Sequence, residues 1–327
     1  MNQLEETPYI SIVIPAYNEE KNLPQMMDRI LPVLRGMDTP FEIIFTDDGS
    51  RDGTLRILKS FAKEIPEVRV IEFNGNFGQH MAILAAFELS RGAIVVTLDA
   101  DLQNPPEEIP KLVAQIEKGH DVVGTIRMKR RDTIFRKAAS RIVNITTNKM
   151  TGMQMSDYGC MLRAYSRNVV DNINRCSETT TFIPALAQTF AANPVEIEVA
   201  HAERSEGESK YSLYKLIRLN FDLMTGFSVV PLQLFALMGI CTSLASMAFA
   251  IFLLVRRFVI GAEVEGVFTL FAILFFFVGI IIFGIGIVGE YVGRIYQEVR
   301  RRPRYVVRRV HGFDAAEATA AGLKVTR

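Results

Sequence analysis

Ala93-Ile-Val-Val-Thr-Leu98 leads directly into Asp99-Ala-Asp101, an uncharged β-rich run that ends in two carboxylates two residues apart. Side chains two apart in an extended segment point the same way, so Asp99 and Asp101 can meet one divalent cation. Their oxygens are hard ligands, suited to Mg2+ or Mn2+. The competing reading, an acidic turn on a solvated face, sits poorly after so apolar a strand. A second acidic edge, Asp47-Asp48-Gly49, follows Phe41-Glu-Ile-Ile-Phe-Thr46 in the same manner.

Around these two edges, short β-rich runs alternate with longer helical stretches. Ile10–Pro15, Phe41–Thr46, Val68–Phe73, Ala93–Leu98 and Asp121–Gly124 read as strands, and Asn22–Leu34, Thr54–Lys63 and Gly78–Ser90 as helices. Repeated strand–helix units imply an α/β domain with a mostly parallel central sheet and helices on both faces. Ligands of such sheets collect beyond the carboxyl ends of the strands. Pro15-Ala-Tyr-Asn-Glu19, Asp47-Asp48 and Asp99-Ala-Asp101 all fall at such ends, so one rim should carry the chemistry. It is not a dinucleotide or P-loop rim, because neither a Gly-x-Gly-x-x-Gly nor a Gly-Lys-Ser/Thr phosphate loop opens a helix. Gly75-Asn-Phe-Gly78 is either a simple turn or a turn that shapes a ligand pocket.

The 327 residues carry 37 Lys+Arg and 36 Asp+Glu, a formal net charge of +1, which gives no reason to expect nucleic-acid binding. Cys160, Cys176 and Cys241 are too far apart for a disulfide framework or a zinc spacing. Leu223–Val255 and Gly266–Gly289 contain no charge, and each is long enough to cross a bilayer as a helix. Arginines crowd Arg294–Arg309, so the positive-inside tendency places that flank in the cytoplasm, and two spans then place the N-terminal domain there too. The start of the chain lacks the basic and apolar regions of a signal peptide. Between domain and spans, Tyr214, Ile217, Phe221 and Met224 share one helical face and Lys215, Arg218 and Asp222 another, the pattern of a helix lying on membrane lipids.

Three segments resemble family 2 glycosyltransferases of the GT-A fold: Ser11-Ile-Val-Ile-Pro-Ala-Tyr-Asn-Glu-Glu20, Asp47-Asp-Gly-Ser-Arg-Asp-Gly-Thr54 and Leu98-Asp-Ala-Asp-Leu-Gln-Asn-Pro-Pro106. With the apolar segments, the chain resembles the polyprenyl-phosphate sugar transferases within that family, and the likeness runs from Ser11 to Val307. It implies a GT-A catalytic domain over 1–210, a juxtamembrane interfacial helix over 211–230, a two-helix transmembrane hairpin over 231–291 and a basic cytoplasmic tail over 292–327. It also implies a multi-pass protein of the bacterial inner membrane with both termini cytoplasmic. The implied reaction is inverting transfer of 4-deoxy-4-formamido-L-arabinose from a UDP-sugar to undecaprenyl phosphate, as in lipid A modification, with glucose or another hexose as the alternative sugar. An inactive scaffold and a polymer-forming synthase are the competing classes. Related transferases suggest a homotetramer, although no heptad pattern in the chain carries one.

The resemblance assigns roles residue by residue. Asp101 is the expected direct metal ligand, Asp99 acts through water or the nucleotide, and Gln103 either completes the shell or serves the turn. Asp48 is expected to accept the imide N–H of uracil, with Asp47 holding the loop. Pro15, Tyr17 and Glu19 line the nucleoside pocket. Arg127, Arg130, Arg131 and Arg136 form a basic stretch for the acceptor phosphate, or alternatively a patch for anionic headgroups. Asp157 matches the acceptor-side acid. Arg204, Ser209 and Lys210 belong to a loop that neutralises the donor diphosphate, with Gly207 at its bend. His80 lines the donor site or merely starts a helix. The four histidines form no cluster, and no covalent nucleophile arrangement is visible.

Overall fold

The computed structural model of the chain describes residues 7–127, 160–176, 182–200, 230–260, 266–300 and 302–313. These fall into two units, one from the described residues up to 200 together with 302–313, the other from 230–300.

The first unit is built on one sheet whose eight strands are β1 (Ile10–Ala16), β2 (Phe41–Asp47), β3 (Val68–Phe73), β4 (Ile94–Thr97), β5 (Val122–Arg127), β6 (Arg163–Ser166), β7 (Pro194–Val199) and β8 (Val307–His311). Their spatial order is β7-β5-β6-β4-β1-β2-β3-β8. β1 pairs in parallel with β2 and β4, β2 with β3, and β5 with β7, while β6 and β8 run antiparallel to their neighbours. The sheet is thus mixed but mostly parallel. Ile10 to Ile14 are all buried, as expected of a central strand covered on both faces.

The helices of this unit are α1 (Leu23–Arg35), α2 (Thr54–Glu64), α3 (Gln79–Leu89), α4 (Ile109–Glu117), α5 (Arg167–Arg175) and α6 (Ile183–Phe190). α1 buries Leu23, Met26, Met27, Ile30 and Leu34, an apolar stripe at helical spacing. Each such side chain contributes roughly 1.5–3 kcal/mol when removed from water. Pro24 sits in the first turn, where the missing N–H costs nothing. α3 differs, burying every residue from Ala82 to Phe87 because the sheet lies on one side and α5 on another.

Two features depart from the sequence expectation. The stretch over 292–327, expected to be a basic tail, contains β8, which pairs antiparallel along β3 and continues the sheet. Its arginines obscured the strand pattern, and Arg308 is in fact spent on buried Glu72, 3.5 Å away. β6 and β7 also close the far side of the sheet, where only the strand ending near Gly124 was expected.

The second unit holds α7 (Val230–Ile260) and α8 (Val267–Val299). Both are long and apolar enough to cross a membrane, and the window Leu232–Phe249 has none of its residues buried. At about 1.5 Å per residue each exceeds the roughly 30 Å hydrocarbon core. The Phe235 ring meets Phe283 edge-on at 6.1 Å and lies where a side chain on Gly284 would stand, so that glycine allows the two helices to approach. The interfacial helix expected over 211–230 lies outside the described residues.

Candidate active site at the carboxyl rim of the sheet

Strand register gathers the acidic edges. Pro15 lies opposite Thr46, Ala16 opposite Asp47, and Val13 opposite Thr97. The Asp48 N–H donates to the Ala16 carbonyl at 2.9 Å, and the Leu98 N–H donates to Val13 at 3.0 Å. The chain therefore leaves β1, β2 and β4 side by side, and the three segments expected to carry chemistry begin there.

Asp48 organises this rim. Its Oδ1 accepts from the Phe77 N–H at 2.6 Å and its Oδ2 from the Gly78 N–H at 2.9 Å. The turn over 75–78 is thereby pinned to the end of β2. Gly49, at φ +71°, lies so close to this turn that a Cβ would fall 2.5 Å from the Gly75 carbonyl carbon. Only glycine fits there. Asp47 Oδ2 accepts from the Ser50 N–H at 3.3 Å, while its Oδ1 is buried without a hydrogen-bond partner. Burial pushes both carboxyls above the ordinary Asp range, opposed at Asp47 by Ser50 and at Asp48 by the two amides. Asp47 does hold its loop, but Asp48 holds one as well.

The loops after β1 and β2 interlock. The Asn18 N–H donates to Ser50 Oγ at 3.0 Å and Arg51 N–H to Asn18 Oδ1 at 2.8 Å. The Glu19 N–H donates to Thr54 Oγ1 at 2.8 Å, and its carboxylate accepts from Asn22 Nδ2 at 2.6 Å. Glu20 Oε2 accepts from the Gly53 N–H at 2.7 Å. Asp52 accepts from the Thr54 and Glu20 amides; burial pushes it up, but the Thr54 side chain and these amides hold it below the usual range. Tyr17 stands on this frame with 42 % of its surface exposed, open to a planar ligand.

Asp99 and Asp101 lie beyond the end of β4, in a turn rather than an extended strand, and Leu102 there has φ +61°. Ala100 and Leu102 are buried, while Asp99, Asp101 and Gln103 beside them are partly exposed. Asp99 Oδ1 accepts from Gln79 Nε2 at 2.5 Å, and Asp101 Oδ1 accepts from the Gln103 N–H at 3.1 Å. Among the described residues no group of three or more His, Cys, Asp or Glu gathers. Two carboxylates leave the rest of a coordination sphere to water and ligand oxygens, a donor set that fits Mg2+ or Mn2+ carried with a phosphate.

Two further residues, Gln79 and Arg163, were not read as site residues from the sequence. Gln79 was not singled out, yet it links α3 to Asp99. Arg163 is fully buried and donates from Nε to the Cys160 carbonyl at 2.9 Å. A charge inside Cys160-Met-Leu-Arg-Ala-Tyr165 was the available signal. His80 meets the Phe182 ring edge-on at 5.1 Å, and its Nδ1 is sealed without a hydrogen-bond partner. Some of the residue's surface still reaches solvent, but desolvation of the ring, then the Arg163 charge, push its pKa down to about 4. Arg127 ends β5 opposite Val199. Arg130, Arg131, Arg136, Asp157, Arg204, Ser209 and Lys210 lie outside the described residues, as does the side chain of Arg127.

Comparison with known proteins narrows what this rim does. Residues 11–173 match the model of Glycosyl transferase family 2. An undecaprenyl-phosphate 4-deoxy-4-formamido-L-arabinose transferase of Proteus mirabilis is 50% identical over 315 residues, covering 95% of this chain and 97% of its own. One of Yersinia enterocolitica is 49% identical over 321 residues, covering 97% and 98%. Among solved structures, glucosyl-3-phosphoglycerate synthase from Mycobacterium tuberculosis, in complex with Mn2+, UDP and phosphoglyceric acid, superposes with a TM-score of 0.50 at 20% identity, covering 67% of this chain and 76% of that one. That last likeness concerns the fold alone.

Proposed function

The chain belongs to glycosyl transferase family 2, and from that premise we propose that it moves 4-deoxy-4-formamido-L-arabinose from UDP to undecaprenyl phosphate at the inner membrane. The observation that carries this reading is the near-complete overlap with the Proteus mirabilis relative, 50% identical over 95% of the chain. That overlap takes in the apolar helices as well as the sheet.

On this reading the uridine lies over Tyr17, between Pro15 and Glu19 on one side and Asp48 on the other. Asp48 has already given one acceptor site on each oxygen to an amide. Each carboxylate oxygen has a second lone pair, which leaves room for the uracil imide N–H. Asp101, with Asp99 and Gln103, would hold Mg2+ or Mn2+, which supplies positive charge to the leaving diphosphate. The Gln79 amide holds Asp99 in place from behind.

The acceptor phosphate is already anionic near neutral pH, so its oxygen attacks the sugar C1 without a strong base. The new C1–O bond forms as the bond from C1 to the β-phosphate oxygen breaks. UDP leaves with that electron pair, and the configuration at C1 inverts. Orientation and charge neutralisation carry most of the barrier reduction. Arg127, Arg130, Arg131 and Arg136 serve the acceptor phosphate, Arg204, Ser209 and Lys210 the donor diphosphate, and Asp157 orients the acceptor side. α7 and α8 anchor the enzyme with both termini and the rim cytoplasmic, where UDP-sugars are made.

The test is product mass analysis after incubating purified full-length protein with undecaprenyl phosphate and a panel of UDP-sugars. Transfer of the formamido-pentose is expected. Strong glucose transfer without it reverses the choice of sugar, and consumption of no donor with either metal favours a scaffold.

A further inference from the structure

The segment that follows α8 reaches the rim from behind. Arg304 donates from Nη1 to the Cys176 carbonyl at 3.0 Å and lies 3.5 Å from Glu88 of α3. Tyr305 bonds to the same Glu88 carboxylate through its hydroxyl. Its ring stacks on Phe73 at 5.1 Å with an interplanar angle of 13°. Phe73 in turn takes the Phe77 ring edge-on at 5.6 Å. The Asn74 N–H donates to the Val306 carbonyl at 3.1 Å, just where the β3–β8 register shifts. Three rings therefore run in a row from the C-terminal segment to the 75–78 turn, and the last belongs to a residue whose N–H holds Asp48.

We propose that Tyr305 is a positioning residue for the donor nucleotide, acting through the Phe73 and Phe77 rings on the Asp48 carboxylate. The turn over 75–78 has few anchors of its own. Gly75 and Gly78 supply no side-chain contacts, and Asn76 is exposed. On one side Asp48 and the close approach of Gly49 fix it; on the other, Phe77 is its aromatic contact with the sheet. Were the stack opened, Phe77 would gain freedom, and its N–H would leave the 2.6 Å bond that sets the direction of the carboxylate. A stacked or edge-on ring pair attracts beyond its buried area, which is enough to bias the position of Phe77. Gly78, the next residue, also donates to Asp48, and Gln79 after it begins α3 and donates to Asp99. The same displacement thus spreads to the metal-binding side.

The inference rests on the reading of the rim as a UDP site, and the experiment separates the two. Affinity of the full-length protein for UDP with Mn2+ is measured by calorimetry in detergent, alongside its thermal midpoint. Tyr305→Leu is expected to weaken UDP about tenfold, and Tyr305→Phe, which keeps the stack, to stay within about twofold. Arg308→Ala, in the adjoining strand β8 with its charge on Glu72 and no contact with the rings, should leave UDP affinity unchanged even if it lowers the midpoint. In an Asp48→Asn background, Tyr305→Leu should have almost no further effect, because its route to the nucleotide is already cut. If Tyr305→Leu does not fold, Phe73→Leu opens the stack from β3 and carries the same expectation. Wild-type UDP affinity in either folded variant, or the full loss persisting in the Asp48→Asn background, overturns the proposal. Wild-type protein that binds no UDP overturns the donor reading instead.

Discussion

The two ends of the sheet treat buried carboxylates in opposite ways. At the amino end, Glu42 accepts from Ser11 Oγ at 2.6 Å and the Arg91 N–H at 2.8 Å, while Arg69 and Arg91 approach its other oxygen at 3.3 and 3.6 Å. Two fixed cations neutralise it within the fold. At the carboxyl end, Asp47 and Asp48 are just as buried, but backbone amides and Ser50 are what hold them. A carboxylate matched by arginines has no charge left to offer a ligand. One held by neutral donors keeps its charge, and desolvation raises its pKa until a ligand supplies a further donor. Burial alone does not separate a structural acid from a functional one; the nature of its partners does.

The sharpest break in that comparison is Glu42→Gln. It leaves Arg69, only 6% exposed, beside a neutral amide. Breaking a buried pair from one side costs about 3–5 kcal/mol. The expected result is a large drop in unfolding free energy with UDP affinity unchanged in the folded fraction, measured by denaturant titration and calorimetry on the full-length protein. A loss of UDP affinity at unchanged stability would erase the distinction between the two ends.

Asp101→Asn should do the reverse. The amide cannot replace an anionic ligand, and loss of an outer-shell partner alone costs about 10–100-fold at metal sites, so turnover should fall by about 100-fold or more. Stability should hardly change, because Asp101 is partly exposed and the hydrogen bond it accepts from the Gln103 N–H survives in an asparagine. Near-normal initial rates at limiting Mg2+ or Mn2+ would remove Asp101 from the site.

How much of this was legible follows from which forces act locally. β1, β2, β3 and β4 were readable because each is a short run rich in β-branched and aromatic residues bounded by turn residues, and the structure matches them within a residue or two. α7 and α8 were readable for a different reason, length and apolarity without interruption, with no partner needed to explain them. β8 was not readable, since the partner that neutralises Arg308 is Glu72, more than 200 residues earlier in the chain. At the site, Asp48, Asp99 and Asp101 were visible as carboxylates at strand ends. The divided duty of Asp48 was not, because it depends on amides 29 and 30 residues away. The strand itself ends at Thr97, short of Asp99 and Asp101, yet the alternation of buried and partly exposed residues runs on through both acids.

The smallest expected effect lies at the sheet edge, where Glu72 combines features of both ends. It is buried like Asp48 but neutralised like Glu42, with Lys59 at 2.8 Å, His311 at 3.3 Å and Arg308 at 3.5 Å. Burial pushes its pKa up, but the Lys59 and His311 bonds and the Lys59 and Arg308 charges outweigh that and hold it below the ordinary Glu value. A carboxyl with a lowered pKa in the folded state stabilises the fold above its unfolded pKa. It loses that contribution as pH falls through the folded value. Glu72→Gln should therefore cost about 1–2 kcal/mol at neutral pH, because the two most exposed cations, Lys59 and Arg308, can return to water. The gap between variant and wild type should close once the pH drops below the unfolded value of 4.5 and through the lower folded one. Paired unfolding titrations across that range check it. A gap that stays constant down to the acid limit would show that Glu72 stabilises the β3–β8 edge by packing and not by charge. In that case Glu72 would belong with neither end of the sheet.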